Sequence, residues 1–173
     1  MKSFPELLEQ AFSDANLPVE SIPAIDLYMD QILTLVEDGL SANKRRPQDK
    51  LLTKSMIHNY SKEQLIMPVK GKKYSREQVF QLLCVLNLKQ TLSMSDIRTL
   101  TANEADFSGF ACAYGASLAL KENLRGQLEQ VLLETFGSEP DLSDREQLLT
   151  LCLALSSAST LLRRLCEKMI DET

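Results

Sequence analysis

The spacing of apolar residues most constrains the fold, because it repeats every three or four residues along most of the chain. Such spacing places apolar side chains on one face of a helix. Over about 24–39 this face holds Ile25, Tyr28, Met29, Ile32, Leu35 and Val36. Six glycines and six prolines in 173 residues interrupt the pattern rarely. We therefore expect an all-α fold with at most a small two-stranded hairpin.

Local capping signals place several further helices. A short helix is expected over 5–15, and another begins after the cap Thr53. Ser75 and Gln78 have the spacing of a capping box, in which each side chain bonds to the other residue's backbone N–H. A short helix is also expected from Ser93 to Leu100. Between the helices, 65–69 is expected to be extended and 70–74 to form a basic hairpin tip, in which Gly71 allows the tight turn.

The carboxyl-terminal part of the chain predicts two long helices. Residues 104–136 are expected to be helical but interrupted at Gly109, Gly115 and Gly126. A capping box at Ser143–Glu146 predicts a helix of about 28 residues to Ile170. That helix is longer than a small core requires, and its apolar stripe approaches a heptad repeat through Leu148, Leu151, Cys152, Leu155, Ala158, Leu162, Leu165 and Met169.

Charge is segregated along the chain. Residues 1–40 hold one basic and eight acidic residues (−7), 41–100 hold twelve and four (+8), and 101–173 hold six and twelve (−6). These values add up to the formal net charge of −5. A basic block of domain size inside an acidic chain is typical of a surface that binds phosphates. The alternative is that lysine-rich loops serve solubility alone.

Other classes of site find little support. The four cysteines, Cys84, Cys112, Cys152 and Cys166, form no CxxC pair and lie in apolar runs, so we expect buried, reduced thiols. His58 is the single histidine, which excludes metal or catalytic sites built on a histidine pair. The carboxylate pairs Glu37–Asp38 and Glu104–Asp106 are expected on solvated faces. We expect no enzyme activity, no cofactor, no metal, no membrane span and a cytoplasmic protein.

A sequence pattern resembling MerR-type regulators runs from Leu52 to Leu100. Thr53 takes the position of that family's helix cap, Tyr60 that of its aromatic, and Leu65-Ile66 with Pro68 that of its helix exit. The segment 70–74 then matches the family's wing, and Tyr74-Ser75 its next helix start. The resemblance covers about fifty residues and implies a winged helix-turn-helix that binds duplex DNA.

The recognition helix and wing implied by this resemblance carry side chains suited to DNA. Ser, His and Asn can bond base edges, and Lys and Arg pair with phosphates. The expected DNA-binding residues are Lys54, Ser55, His58, Asn59, Lys62, Lys70, Lys72, Lys73, Arg45 and Arg46. Lys50 would add electrostatic reach.

The sequence departs from the MerR pattern in two respects. His58 and Asn59 replace the Arg and Tyr that the family usually carries, so base preference cannot be transferred. A basic loop of about a dozen residues separates the 24–39 helix from the recognition helix. The domain is therefore either a modified helix-turn-helix or one repurposed for a protein partner. The whole chain, including 25–31 and 51–53, also resembles the bacterial family called domain of unknown function 1836.

We expect three parts: an amino-terminal helical arm (1–23), a MerR-like winged domain (24–101) and a carboxyl-terminal helical dimerisation or effector module (102–173). The leading interpretation is a transcriptional regulator that binds double-stranded DNA as a homodimer through its carboxyl-terminal helices. The alternative is a helical interaction protein whose winged domain docks an acidic partner chain.

Overall fold

The computed structural model describes residues 2–69, 71–101, 109–137 and 139–173. Helices dominate these residues, and the only sheet among them has two short strands. The helices are α1 (Phe4–Phe12), α2 (Met29–Leu40), α3 (Lys54–Lys62), α4 (Arg76–Leu88), α5 (Met94–Thr101), α6 (Phe110–Phe136) and α7 (Arg145–Asp171). Strand β1 (Leu27–Tyr28) pairs antiparallel with β2 (Lys73–Tyr74). The predicted fold class is confirmed.

The chain divides into two compact units, Ala15–Leu118 and Met1–Asp14 with Ala119–Thr173. The core of the first unit centres on α4, which buries residues on nearly all of its sides. The Phe80 ring lies 5.7 Å from the ring of Tyr114. Other fully buried side chains come from α2 to α5 and from the loop after α3, namely Ile32, Val36, Ile57, Leu65, Leu82, Leu83, Val85 and Ile97.

The start of α2 differs from the prediction. The helix begins at Met29 rather than near 24, because the preceding backbone of Leu27 and Tyr28 pairs with β2. Ile25, which fits the helical spacing, is 67% exposed and contributes nothing to the core. The Gln31 side chain accepts the Tyr28 N–H at 2.9 Å and so caps the first turn.

In the second unit, α1 packs on the later part of α6. Ser3 and Glu6 form a capping box at the start of α1, and the rings of Phe4 and Phe136 meet edge to face at 6.1 Å. The Arg125 guanidinium donates to the Phe12 carbonyl at 3.1 Å, which satisfies an acceptor at the end of α1.

Two expectations about the long helices were wrong. The described part of the predicted 104–136 helix, α6, runs unbroken through Gly115 and Gly126, because an isolated glycine costs a helix only about 1 kcal/mol. Residues 102–108, with Glu104 and Asp106, lie outside the described residues. The cap of α7 is Asp144, which accepts the Glu146 N–H at 3.0 Å, whereas Ser143 bonds to Asp141.

The cysteines differ in exposure, contrary to the expectation that all four are buried. Cys112 on α6 and Cys152 on α7 are exposed, and Cys84 and Cys166 are partly buried. An apolar run can lie on a helix that its own chain leaves uncovered, and α7 is almost uncovered by the part of the chain that the structure describes. In length and composition α7 also resembles a helix that crosses a membrane, and none of its most apolar 18-residue stretch is buried.

Candidate nucleic-acid interface

The α3 helix presents a polar face to solvent, as its sequence predicts. Thr53 caps it by accepting the Met56 N–H at 3.2 Å. Ile57 and Tyr60 are buried and attach the helix to the core. One helical face opposite these two residues holds Ser55, His58, Asn59 and Lys62, all of which are exposed.

Long-range contacts fix α3 at both of its ends. At the amino end, the Lys54 ammonium lies 2.6 Å from a carboxylate oxygen of Asp30, the second residue of α2. At the carboxyl end, the Arg98 guanidinium donates to the Glu63 carbonyl at 2.8 Å and to the Glu63 carboxylate at 2.7 Å. The position of Arg98 shows that it satisfies a carbonyl at the end of α3.

The backbone leaves α3 through a left-handed residue, Gln64, at φ 58°. The next residue, Leu65, is fully buried, and its N–H bonds to the Tyr60 carbonyl at 2.8 Å. This arrangement ends the helix and turns the chain into the loop that follows.

Two glutamines of α4 hold the described first part of this loop, 65–69. Gln81 is fully buried; its side-chain oxygen accepts the Met67 N–H at 2.7 Å, and its amide donates to the Thr101 carbonyl at 3.4 Å. The Gln78 amide donates to the carbonyls of Met67 and Pro68 at 3.2 and 3.1 Å. Backbone groups without a strand partner are thereby satisfied.

The end of the loop differs from the expected hairpin. Gly71 has a φ of 83°, which agrees with the expected tight turn. However, the segment after it, β2, pairs with β1 rather than with the neighbouring 65–69 residues. The expected site residue Lys70 lies outside the described residues.

The sheet brings β2 to the same end of α2 as α3. Tyr28 pairs with Lys73, whose ammonium lies 5.0 Å from the centre of the Tyr28 ring. Asp30, which binds Lys54, is two residues further along. The start of α3 and the start of β2 therefore both lie beside the amino end of α2. We call seven exposed polar residues of these two elements and of the turn before β2 the α3–β2 surface: Lys54, Ser55, His58, Asn59, Lys62, Lys72 and Lys73.

The basic residues of the 41–100 segment fall into two groups. Some have partners: Lys44 pairs with Glu37, and Arg76 donates to the Val19 carbonyl at 2.9 Å. The Lys89 ammonium lies 5.7 Å from the Tyr60 ring, and burial lowers the pKa of Lys89. Within the described residues, a second group is exposed and forms no ion pair: Arg45, Arg46, Lys50, Lys62 and Lys72. These cations remain available to an anionic ligand.

Arg45 and Arg46 belong to a separate loop. The Arg46 N–H bonds to the Asp49 carboxylate at 2.9 Å, which forms a turn. Among the contacts of the described residues, none joins either arginine side chain to α3 or β2. Seven of the ten expected site residues thus lie on α3, on β2 or in the turn before β2, whereas Arg45 and Arg46 lie on a different loop.

Tyr60, on the buried side of α3, places a polar hydroxyl group in the core. Burial raises the pKa of its phenol to about 12. Its hydroxyl is the one buried side-chain polar atom without a hydrogen-bond partner among the described residues. The ring therefore serves packing, and the exposed side of the helix carries the polar chemistry.

A family model, Domain of unknown function (DUF1836), matches residues 17–108 and so spans α2 to α5 and the whole α3–β2 surface. The chain belongs to the DUF1836 family. Comparison with curated proteins and with solved structures found no match. The DUF1836 match ends before α6, so the two long helices lie outside the matched residues.

Proposed function

We propose that this chain binds double-stranded DNA through the α3–β2 surface and acts as a transcriptional regulator. The observation that carries the proposal is an exposed polar helix, fixed at both ends, beside a lysine-bearing strand. The nine residues of α3 span roughly 13 Å, and a major groove about 12 Å wide admits a helix. In this proposal α2 and α3 are the two helices of a modified helix-turn-helix, and the 65–74 segment is its wing.

The side chains divide into two roles. Ser55, His58 and Asn59 carry donors and acceptors that can bond base edges in a major groove, so they would select the sequence. Lys62 and Lys72 have no anionic partner among the described residues and would pair with phosphates. Lys54 already pairs with Asp30, which reduces the charge that it offers to DNA.

An electrophoretic mobility shift with a pool of genomic duplex fragments, at low and moderate salt, tests the proposal. We expect a shift at low salt that weakens as salt rises, because phosphate contacts release counterions. The double variant Lys72→Glu/Lys73→Glu should weaken binding to all fragments alike. Lys2→Glu, a charge reversal in the other unit, should leave binding unchanged.

Two outcomes would overturn the proposal. A folded protein that shifts no fragment at low salt does not bind duplex DNA. Equal binding of duplex DNA and polyglutamate would instead favour an acidic protein partner. The variant Asn59→Ala separates base recognition from charge, since it should change the preference among selected fragments while leaving the lysine contacts in place.

A further inference from the structure

The helix α7 is almost uncovered by its own chain. It has 27 residues and a length of roughly 40 Å, yet Ile170 is its only buried residue. A helix rich in leucine is stable in water when its apolar face is covered by another surface. The described residues of the chain do not supply that surface.

Seven apolar residues of α7 follow a strict heptad repeat. Alternating steps of three and four residues lead from Leu148 to Met169 through three heptads. We call these residues the seam: Leu148, Leu151, Leu155, Ala158, Leu162, Leu165 and Met169. Five of them are 39–59% exposed; of the other two, Leu151 is partly exposed and Ala158 is exposed. Sustained a/d spacing of this kind is the pattern by which helices pack side by side.

The opposite face of α7 is mostly polar. Ser157, Thr160, Arg164 and Glu167 lie there, and the leucines off the seam are confined to the part before Arg163. A helix spanning a membrane as a single segment would expose these polar and charged groups to lipid. The pattern favours a partner along one face over a lipid surface on all sides.

We propose that the seam of α7 pairs with the same seam of a second copy of this chain, so that the protein is a homodimer. A single seam that is apolar along its whole length is self-complementary, as a two-fold interface requires. Beside the middle of the seam, Cys152, Ala154, Ser159 and Leu161 are uncharged, and the charged flanking residues Arg145 and Lys168 lie near its two ends, so like charges do not oppose each other along most of its length.

The exposed apolar area is sufficient for a stable dimer. On the seam and on one stripe of α6, nine large apolar side chains are 39–66% exposed. At about 100 Å² for a whole side chain, they offer on the order of 500 Å² per copy. A stable interface buries about 800 Å² per partner, and homodimer interfaces are about 65% apolar. The four of these residues on α6, Leu120, Leu124, Leu128 and Val131, form one stripe that would extend the contact.

Sedimentation equilibrium of the full chain tests the proposal. We expect twice the chain mass of 19.5 kDa for the native protein and a single chain mass for Leu155→Lys/Leu162→Lys. The matched control Ser157→Lys/Thr160→Lys adds the same charge to the opposite face and should stay dimeric. Should the lysine variant lose its helical circular dichroism, Leu155→Ala/Leu162→Ala should instead raise the dissociation constant by at least about 100-fold.

Three results would overturn the proposal. A native protein that sediments as a single chain at about 100 µM has no such dimer. A dimer that persists in both the lysine and the alanine variant is formed elsewhere. Flotation of the native chain with phosphatidylcholine vesicles would assign the seam to a lipid surface. None of these outcomes depends on whether the protein binds DNA.

Discussion

Gln81 is the buried polar side chain that holds the 65–69 part of the loop in position. It is fully buried within α4 and joins two distant backbone groups, the Met67 N–H and the Thr101 carbonyl. The variant Gln81→Met keeps an unbranched side chain of similar size and removes both hydrogen bonds. It therefore tests the polar contacts with little change in packing.

The expected loss follows from these two bonds. Removing one partner of a buried hydrogen bond costs about 1–3 kcal/mol, because the remaining group loses both its partner and water. The 2.7 Å bond to Met67 is the stronger, and the 3.4 Å bond to Thr101 adds less. We expect the free energy of unfolding to fall by about 2 kcal/mol.

Urea unfolding followed by circular dichroism measures this loss. With a slope of about 1–3 kcal/mol per molar, the midpoint should fall by roughly 1 M. The control Gln90→Met removes an exposed amide just after α4 that bonds to the nearby Leu86 carbonyl, and it should change stability by less than about 0.5 kcal/mol. Equal midpoints for the Gln81 and Gln90 variants would refute the view that Gln81 holds the loop.

Three further predictions concern the core around α3 and the thiols. Thr53→Ala removes the α3 cap and should cost about 1 kcal/mol, measured in the same urea assay. Burial raises the pKa of Tyr60 to about 12, so its contribution to stability should be present below pH 10 and lost as the pH rises toward 12. Tyr60→Phe should reduce that alkaline loss without destabilising the protein at pH 7, because the hydroxyl has no partner among the described residues. Burial also raises the pKa of Cys84 to about 11, so peptide mapping after iodoacetamide treatment at pH 8 should find exposed Cys112 labelled well before Cys84.

Local chemistry explains the parts of the fold that could be predicted. The caps Thr53 and Ser75 bond to backbone groups within three residues, so the sequence alone specifies them. The burial of Ile57 and Tyr60 follows from their spacing on one short helix. Because helix capping and apolar spacing both act over one or two helical turns, the sequence also predicts which side of α3 is polar.

The parts that could not be predicted depend on residues far apart in the chain. Gln81 lies in an apolar run. A single glutamine in such a run needs a hydrogen-bond partner in the core, but the sequence does not identify that partner. Arg98 reaches a carbonyl 35 residues away. The two-residue strands β1 and β2 are too short to show a period of two, so their pairing and the late start of α2 were missed. The exposure of Cys152 could not be predicted either, because apolar spacing does not tell which chain covers a helix.

The salt dependence of DNA binding tests the α3–β2 surface most directly. Fluorescence anisotropy with a labelled duplex gives the slope of log affinity against log salt for the native chain and for Lys62→Ala/Lys72→Ala. If both lysines neutralise phosphates, the slope of the variant should be shallower by about 0.9 per lysine, whereas Lys2→Ala should match the native chain. A native slope retained by the Lys62/Lys72 variant would contradict this account of the surface.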